Sequence, residues 1–139
     1  MWVFAENGFI SIVRHRHKPE FVLVRARVEV DLGNFVAGCG EMASHYAIEH
    51  TPEADYPWRV MLPKGVAANG LVRQLLDIDY PNFKAAIEER VEWDRDDAYG
   101  KVWGAMRELG DVLAGGEQLA AHWANRLDEA QNKPGPGPK

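Results

Sequence analysis

The chain has one cysteine, Cys39, so no internal disulfide is available, and a reducing cytoplasmic setting is expected. No apolar run approaches the ~20 residues that cross a bilayer. The opening Met1-Trp2-Val3-Phe4 meets Glu6 almost at once and lacks the basic start and long apolar stretch of a secretion signal. There is no Gly-x-Ser-x-Gly elbow, Walker loop or dinucleotide fingerprint. Ser11 and Ser44 are the only serines, and neither stands in a motif that would support a hydrolytic triad. Basic residues are outnumbered, with a net charge of −5. That argues against generic nucleic-acid binding, which needs a cationic surface to neutralise phosphates.

What remains is an ordinary globular composition, 46% apolar and 27% charged over 139 residues. This suits a domain with a modest core. The first half reads as strands. Glu6-Asn7-Gly8 marks a turn between Trp2–Phe4 and Phe9–Val13, because Asn-Gly tolerates positive φ. From Phe21 to Val28 the pattern alternates: Val22, Val24, Ala26 and Val28 share one face, and Leu23, Arg25 and Arg27 the other. Pro57 to Leu62 alternates too, with Trp58, Val60 and Leu62 opposed to Arg59 and Met61. Between these, Asp31 is the expected cap of a short helix ending at Gly38 and Gly40, and 45–50 is a weak strand candidate. The second half is helical. Ala68, Leu71, Val72, Leu75 and Leu76 predict a buried stripe. Asp79 is the expected cap of the next helix, with Pro81 in its first turn. A long helix then buries Tyr99, Val102, Trp103, Met106 and Leu109, with Gly100 and Gly104 spaced for close backbone approach. A last helix carries Leu119, Trp123 and Leu127. The expectation is an α+β fold: an antiparallel sheet of four to five strands from the N-terminal half, packed against C-terminal helices. Residues 1–114 form a ligand-binding domain, 115–132 a C-terminal helix and 133–139 a Pro/Gly tail with nothing to bury.

Several groupings carry chemistry, each beside a plainer reading. His15 and His17 could share a metal, but Arg14, Arg16 and Lys18 oppose a cation, and a basic hairpin tip explains them better. Cys39, His45 and His50 match no standard zinc spacing, so no metal or cofactor is expected. Glu92, Asp94, Asp96 and Asp97 could do acid–base work, yet they stand where acids favour a helix N-terminus. Trp58 and Trp103 follow apolar spacing and read as core. The segment Ile78–Lys84 is different. Tyr80, Asn82, Phe83 and Lys84 gather two aromatics, an amide and a cation at a break between helices, suited to stacking on a ring and binding its polar edges. Arg25, Arg27 and Arg59 all leave strand faces opposed to apolar residues. If those strands adjoin, one basic face results, and guanidinium groups bind phosphate oxygens two at a time. The plainer reading of Arg25 and Arg27 is a solvated outer face.

A set of stretches, in order, carries a resemblance: Met1–Phe4 with Gly8–Val13, Val24–Arg27, Ala54–Arg59, Ile78–Lys84 and Ala98–Trp103. Together they resemble a group of small bacterial and phage proteins over residues 1 to about 109. The layout is similar to the first anti-Thoeris phage family, the nucleotide sponges. That likeness implies a homo-oligomeric, non-enzymatic protein of the host cytoplasm. It would sequester a cyclic ADP-ribose isomer or cyclic oligonucleotide and so counter bacterial anti-phage defence. It also implies Arg27 and Arg59 as phosphate contacts, Phe83 as the stacking aromatic and Arg107 as a further cation. Arg25, Asn82 and Lys84 join these on chemistry alone. Two other classes stay open: a protein-interaction module that inhibits a host defence complex, and a small phosphodiesterase or hydrolase using Glu92, Asp94 or a histidine.

Overall fold

The computed structural model describes residues 1–90, 93–113, 122 and 124–126. The chain divides into two compact units, Met1–Glu92 and Trp93–Lys139. The first unit is an α+β fold. Strands β1 (Trp2–Ala5), β2 (Gly8–Arg14), β3 (Phe21–Ala26), β4 (Glu49–His50) and β5 (Trp58–Pro63) form one five-stranded antiparallel sheet in the order β1-β2-β3-β5-β4. Helices α1 (Glu29–Gly38) and α2 (Lys64–Leu76) belong to it, with a 3-10 turn at Glu41–His45 and a short helix α3 (Phe83–Arg90).

Alternation along the strands decides which face is covered. Ile10, Ile12, Val24, Ala26, Val60 and Leu62 point to one side and join Leu32 and Phe35 of α1, Cys39, and Ala67 of α2 in a single core. The opposite face carries Ser11, Leu23, Arg25, Arg59 and Met61. The first hairpin closes with a two-residue connection, Ala5 facing Gly8. Its expected geometry is corrected in one respect. Asn7 does not take positive φ; Gly8 does, at 152°. A Cβ there would also sit 2.8 Å from the Asp31 side chain.

Asp31 is not a helix cap. Helix α1 begins earlier, after extended Val28, and has no side-chain cap. Asp31 lies in its first turn, is 3% exposed, and accepts the Phe9 N–H at 2.9 Å. It therefore ties the hairpin to α1. Likewise Asp79 does not cap α3: Asn82 does, its Oδ1 accepting the Ala85 N–H at 3.3 Å.

The larger correction concerns α2. Its buried residues are Ala67 and Gly70, with Leu71 partly packed. Val72, Leu75 and Leu76 are exposed at 53%, 68% and 74%. The helix carries apolar residues on two faces, and the small-residue face meets the core because α1 comes so close. A Cβ on Gly70 would lie 2.6 Å from Cys39 Sγ and 2.8 Å from the Phe35 ring. Larger side chains cannot occupy that seam.

In the second unit, α4 runs Trp93–Leu113. Trp103, Met106 and Leu109, expected in a core, are 56%, 58% and 47% exposed. No atom lies within 4 Å of a Cβ built at Gly100 or Gly104, so those glycines seat no neighbouring backbone among the described residues. The expected boundary at 114, the helix apolar positions Leu119, Trp123 and Leu127, and the 133–139 tail lie outside the described residues. No described helix is long and apolar enough to cross a membrane.

The α1–α2 seam is testable through two glycines. Gly33, within α1, has nothing within 4 Å of a built Cβ. Gly33→Ala should raise unfolding stability by about 0.5–1 kcal/mol through helix propensity. Gly70→Ala should lower it by about 1–2 kcal/mol, because overpacking exceeds the same propensity gain. Urea denaturation of both variants measures the signs; a gain at Gly70 would refute the tight seam.

Candidate functional site

The outer face of the sheet carries Arg25, Arg59 and Glu49 together with the rings of Trp2, Phe4 and Phe9. Registers place Trp2 opposite Ser11, Ser11 opposite Arg25, Arg25 opposite Arg59 and Arg59 opposite Glu49. One row therefore crosses all five strands. Two guanidinium-bearing residues are direct cross-strand neighbours in it. Like charges so placed repel, at a cost of about 0.2–1 kcal/mol.

The structure satisfies these arginines only in part. Arg25 donates from Nη2 to Ser11 Oγ at 2.9 Å, and Arg59 donates from Nη2 to the Tyr56 carbonyl at 2.9 Å. The Nε of each is buried and has no hydrogen-bond partner among the described residues. Neither makes an ion pair there, although Glu49 stands across from Arg59 in register. Ser11, 1% exposed, is an acceptor for Arg25 in the floor of this face.

Tyr56 organises the cluster. It is 6% exposed, and its ring lies 4.7 Å from the Arg25 guanidinium carbon and 5.1 Å from that of Arg27. Its ring negative face favours cations. Arg27, just past the end of β3, pairs with Asp55 at 2.7 Å, both side chains well exposed. An aromatic ridge continues from Tyr56 to Phe9 at 6.3 Å, and Phe9 meets Phe4 at 4.5 Å and Trp2 at 5.9 Å. Trp2 is 65% exposed and shares the Arg25–Arg59 row. The arrangement offers cationic donors beside aromatic faces, which suits an anion attached to a flat ring.

Arg25, Arg27 and Arg59 are thus brought together. The remaining expected residues sit elsewhere in the chain. Asn82, Phe83 and Lys84 belong to the start of α3: Asn82 caps it, Lys84 lies 3.7 Å from Glu88, and the Phe83 ring is 6.0 Å from that of Tyr80. Tyr80 lines a cleft of about 20 Å³ with Glu6, Asn7, Gln74 and Asp77, room for a water molecule and too little for a ring. Arg107 is in the second unit, its guanidinium 5.8 Å from the Trp103 ring. The residues not anticipated are Tyr56, Ser11, Phe9 and Trp2. Tyr56 lies inside the Ala54–Arg59 stretch, and its pairing with Arg25 and Arg27 needs the β3–β5 register to become visible.

The other groupings have local explanations. His15 Nδ1 accepts the backbone N–H of His17 and Lys18 at 3.2 and 3.1 Å, which shapes the β2–β3 turn. The Cys39 thiol donates to the Phe35 carbonyl; burial pushes it above its ordinary pKa, partly offset by a backbone hydrogen bond from Gly70. His45 contacts the Met42 carbonyl, and His50 stacks on Trp58 at 4.0 Å. Asp97 pairs with Lys101 one turn on, while Glu92 lies outside the described residues. Among the described residues no three His, Cys, Asp or Glu are grouped to hold a metal.

An anion on the Arg25–Arg59 row should stabilise the fold by mass action. Pyrophosphate at millimolar concentration should raise the melting temperature by several degrees over chloride at equal ionic strength. Arg59→Met should lose that shift while melting within a few degrees of wild type without pyrophosphate. Equal responses of the two proteins would exclude the row as an anion site. Comparison of the chain with family models, with curated proteins and with solved structures found no match.

Proposed function

We propose that this protein binds and sequesters a small cyclic nucleotide, as a phosphate-bearing immune signal, without transforming it. The observation that carries the reading is the Arg25–Arg59 cross-strand pair gathered with Arg27 around Tyr56. Guanidinium groups supply paired donors to phosphate oxygens, and the exposed Trp2 ring in the same row supplies surface on which a base stacks, at about 1–3 kcal/mol per base. The resemblance to the nucleotide sponges supports the same ligand class, a cyclic ADP-ribose isomer or cyclic oligonucleotide, and with it action in a host cytoplasm by a homo-oligomer. Sequestration works through affinity and abundance, so it asks for donors and a stacking surface and for no reactive group.

Isothermal titration with a panel of cyclic ADP-ribose isomers and cyclic dinucleotides tests the reading. At least one should bind with micromolar affinity or better, and heating should release it chemically intact. Arg59→Met should weaken binding at least tenfold. No heat change across the panel would remove the proposal, and altered products after incubation with magnesium would replace it with phosphodiester hydrolysis. Trp2→Leu and Phe83→Leu then distinguish the aromatic. The sheet geometry expects the greater loss at Trp2, which is exposed in the Arg25–Arg59 row; the family likeness expects it at Phe83.

A further inference from the structure

The row that holds Arg25 and Arg59 has one more member beyond them. It is Glu49, on the edge strand β4. Directly opposed residues of an antiparallel pair point to the same face, with Cβ atoms about 4.5–5.5 Å apart. The Glu49 side chain therefore flanks the guanidinium pair on the side away from Trp2. It is exposed, and it makes no ion pair with Arg59 or any other cation among the described residues. A phosphate seated on Arg25 and Arg59 thus has a carboxylate beside it. Two anions that close repel, so Glu49 works against a bare phosphate. An ionised carboxylate accepts hydrogen bonds and donates none. What satisfies it is a donor carried by the same ligand. In a nucleotide the group joined to the phosphate is the sugar, and the donors of a sugar are its hydroxyls.

We propose that Glu49 selects the sugar of the ligand, by accepting a hydrogen bond from a ribose 2′-hydroxyl next to the phosphate. This inference rests on the nucleotide reading of the same row and deepens it. From Trp2 to Glu49 the order is ring, cation, cation, carboxylate. A phosphodiester has a sugar on each side. With the phosphate on the arginine pair, the base of one nucleoside extends toward Trp2 and the sugar of the other lies toward Glu49. The 2′-hydroxyl stands on the carbon adjoining the phosphate ester, so it falls within the single strand step from Arg59 to Glu49. Its hydrogen bond to the carboxylate is charge-assisted. A deoxy sugar leaves only the repulsion. Discrimination then comes from an attractive and a repulsive element in one side chain.

Isothermal titration compares cyclic di-AMP linked through its 3′ and 5′ oxygens, which keeps both 2′-hydroxyls, with its 2′-deoxy counterpart. Wild type should bind the ribose form about tenfold more tightly or better, the factor that a hydrogen bond to a charged group supplies. Glu49→Leu should move the ligands in opposite directions. The ribose form should bind more weakly, and the deoxy form and inorganic pyrophosphate more tightly. A residue that only moderated the arginine charges would, once removed, tighten all three. The position is exposed on an edge strand, so the melting temperature should stay within a few degrees of wild type. Equal affinity of wild type for the two forms, a ribose preference that survives Glu49→Leu, or tightening of all three ligands overturns the assignment and leaves the nucleotide reading standing. Binding of neither form overturns the assignment, and together with a silent ligand panel it removes the nucleotide reading as well.

Discussion

The close approach of α1 to α2 at Gly70 fixes much else in the first unit. With only a hydrogen between the α2 backbone and the Phe35 ring, both helices settle on one sheet face and seal it with Ile10, Val24, Val60 and Leu62. Strand side chains alternate with a period of two, so covering one face assigns every other residue to the opposite one. The row from Trp2 to Glu49 is a consequence of that assignment together with the pairing registers. A slip of one residue in β3 would bury Arg25 and expel Val24, at a cost of several kcal/mol for the uncompensated charge alone.

The outer face tolerates its concentration of positive charge through modest compensations. Repulsion between Arg25 and Arg59, about 0.2–1 kcal/mol, is of the same size as one net hydrogen bond, about 0.5–1.5 kcal/mol. The Ser11 and Tyr56 acceptors and the Tyr56 ring, worth about 0.5–2 kcal/mol as a cation acceptor, are enough to offset it. Nothing in this balance neutralises the two charges. A phosphate above the sheet, as proposed, would meet two guanidinium groups that no carboxylate pairs with among the described residues.

Much of this was legible in the sequence. Alternation over Phe21–Val28 and Pro57–Leu62 locates β3 and β5 and the outward direction of Arg25 and Arg59, because strand periodicity is independent of what the strand packs against; Arg27 and Val28 lie past the end of β3 at Ala26, where that period no longer applies. Helix α2 was legible as a helix, and its buried face was not. Counting apolar residues favours Val72, Leu75 and Leu76, whereas backbone proximity selects Ala67 and Gly70. Close packing rewards absence of side chain, which hydrophobic periodicity cannot register. The caps failed for a similar reason: Asp31 has a distant acceptor role at Phe9, invisible without tertiary structure, and it displaced the local role that its residue type suggests. The role of Tyr56 is not legible in the sequence because the residue stands in a loop, and a loop has no period from which to read a direction.

The state of Arg27 bears on how a ligand would enter. Its bond to Asp55 is short, at 2.7 Å, but its side chain is 58% exposed and that of Asp55 67%. Exposed pairs of this kind contribute about 0–1 kcal/mol, so Arg27 can exchange carboxylate for phosphate at small cost. Arg25 and Arg59 differ, being half-buried and held by neutral acceptors. A phosphate meeting them displaces no counter-ion of the protein and removes a repulsion. The three cations therefore divide by energetics as well as position. For the proposed phosphate, the Arg25–Arg59 pair would supply the driving force, and Arg27, exchanging Asp55 for the ligand, a movable third donor at the rim.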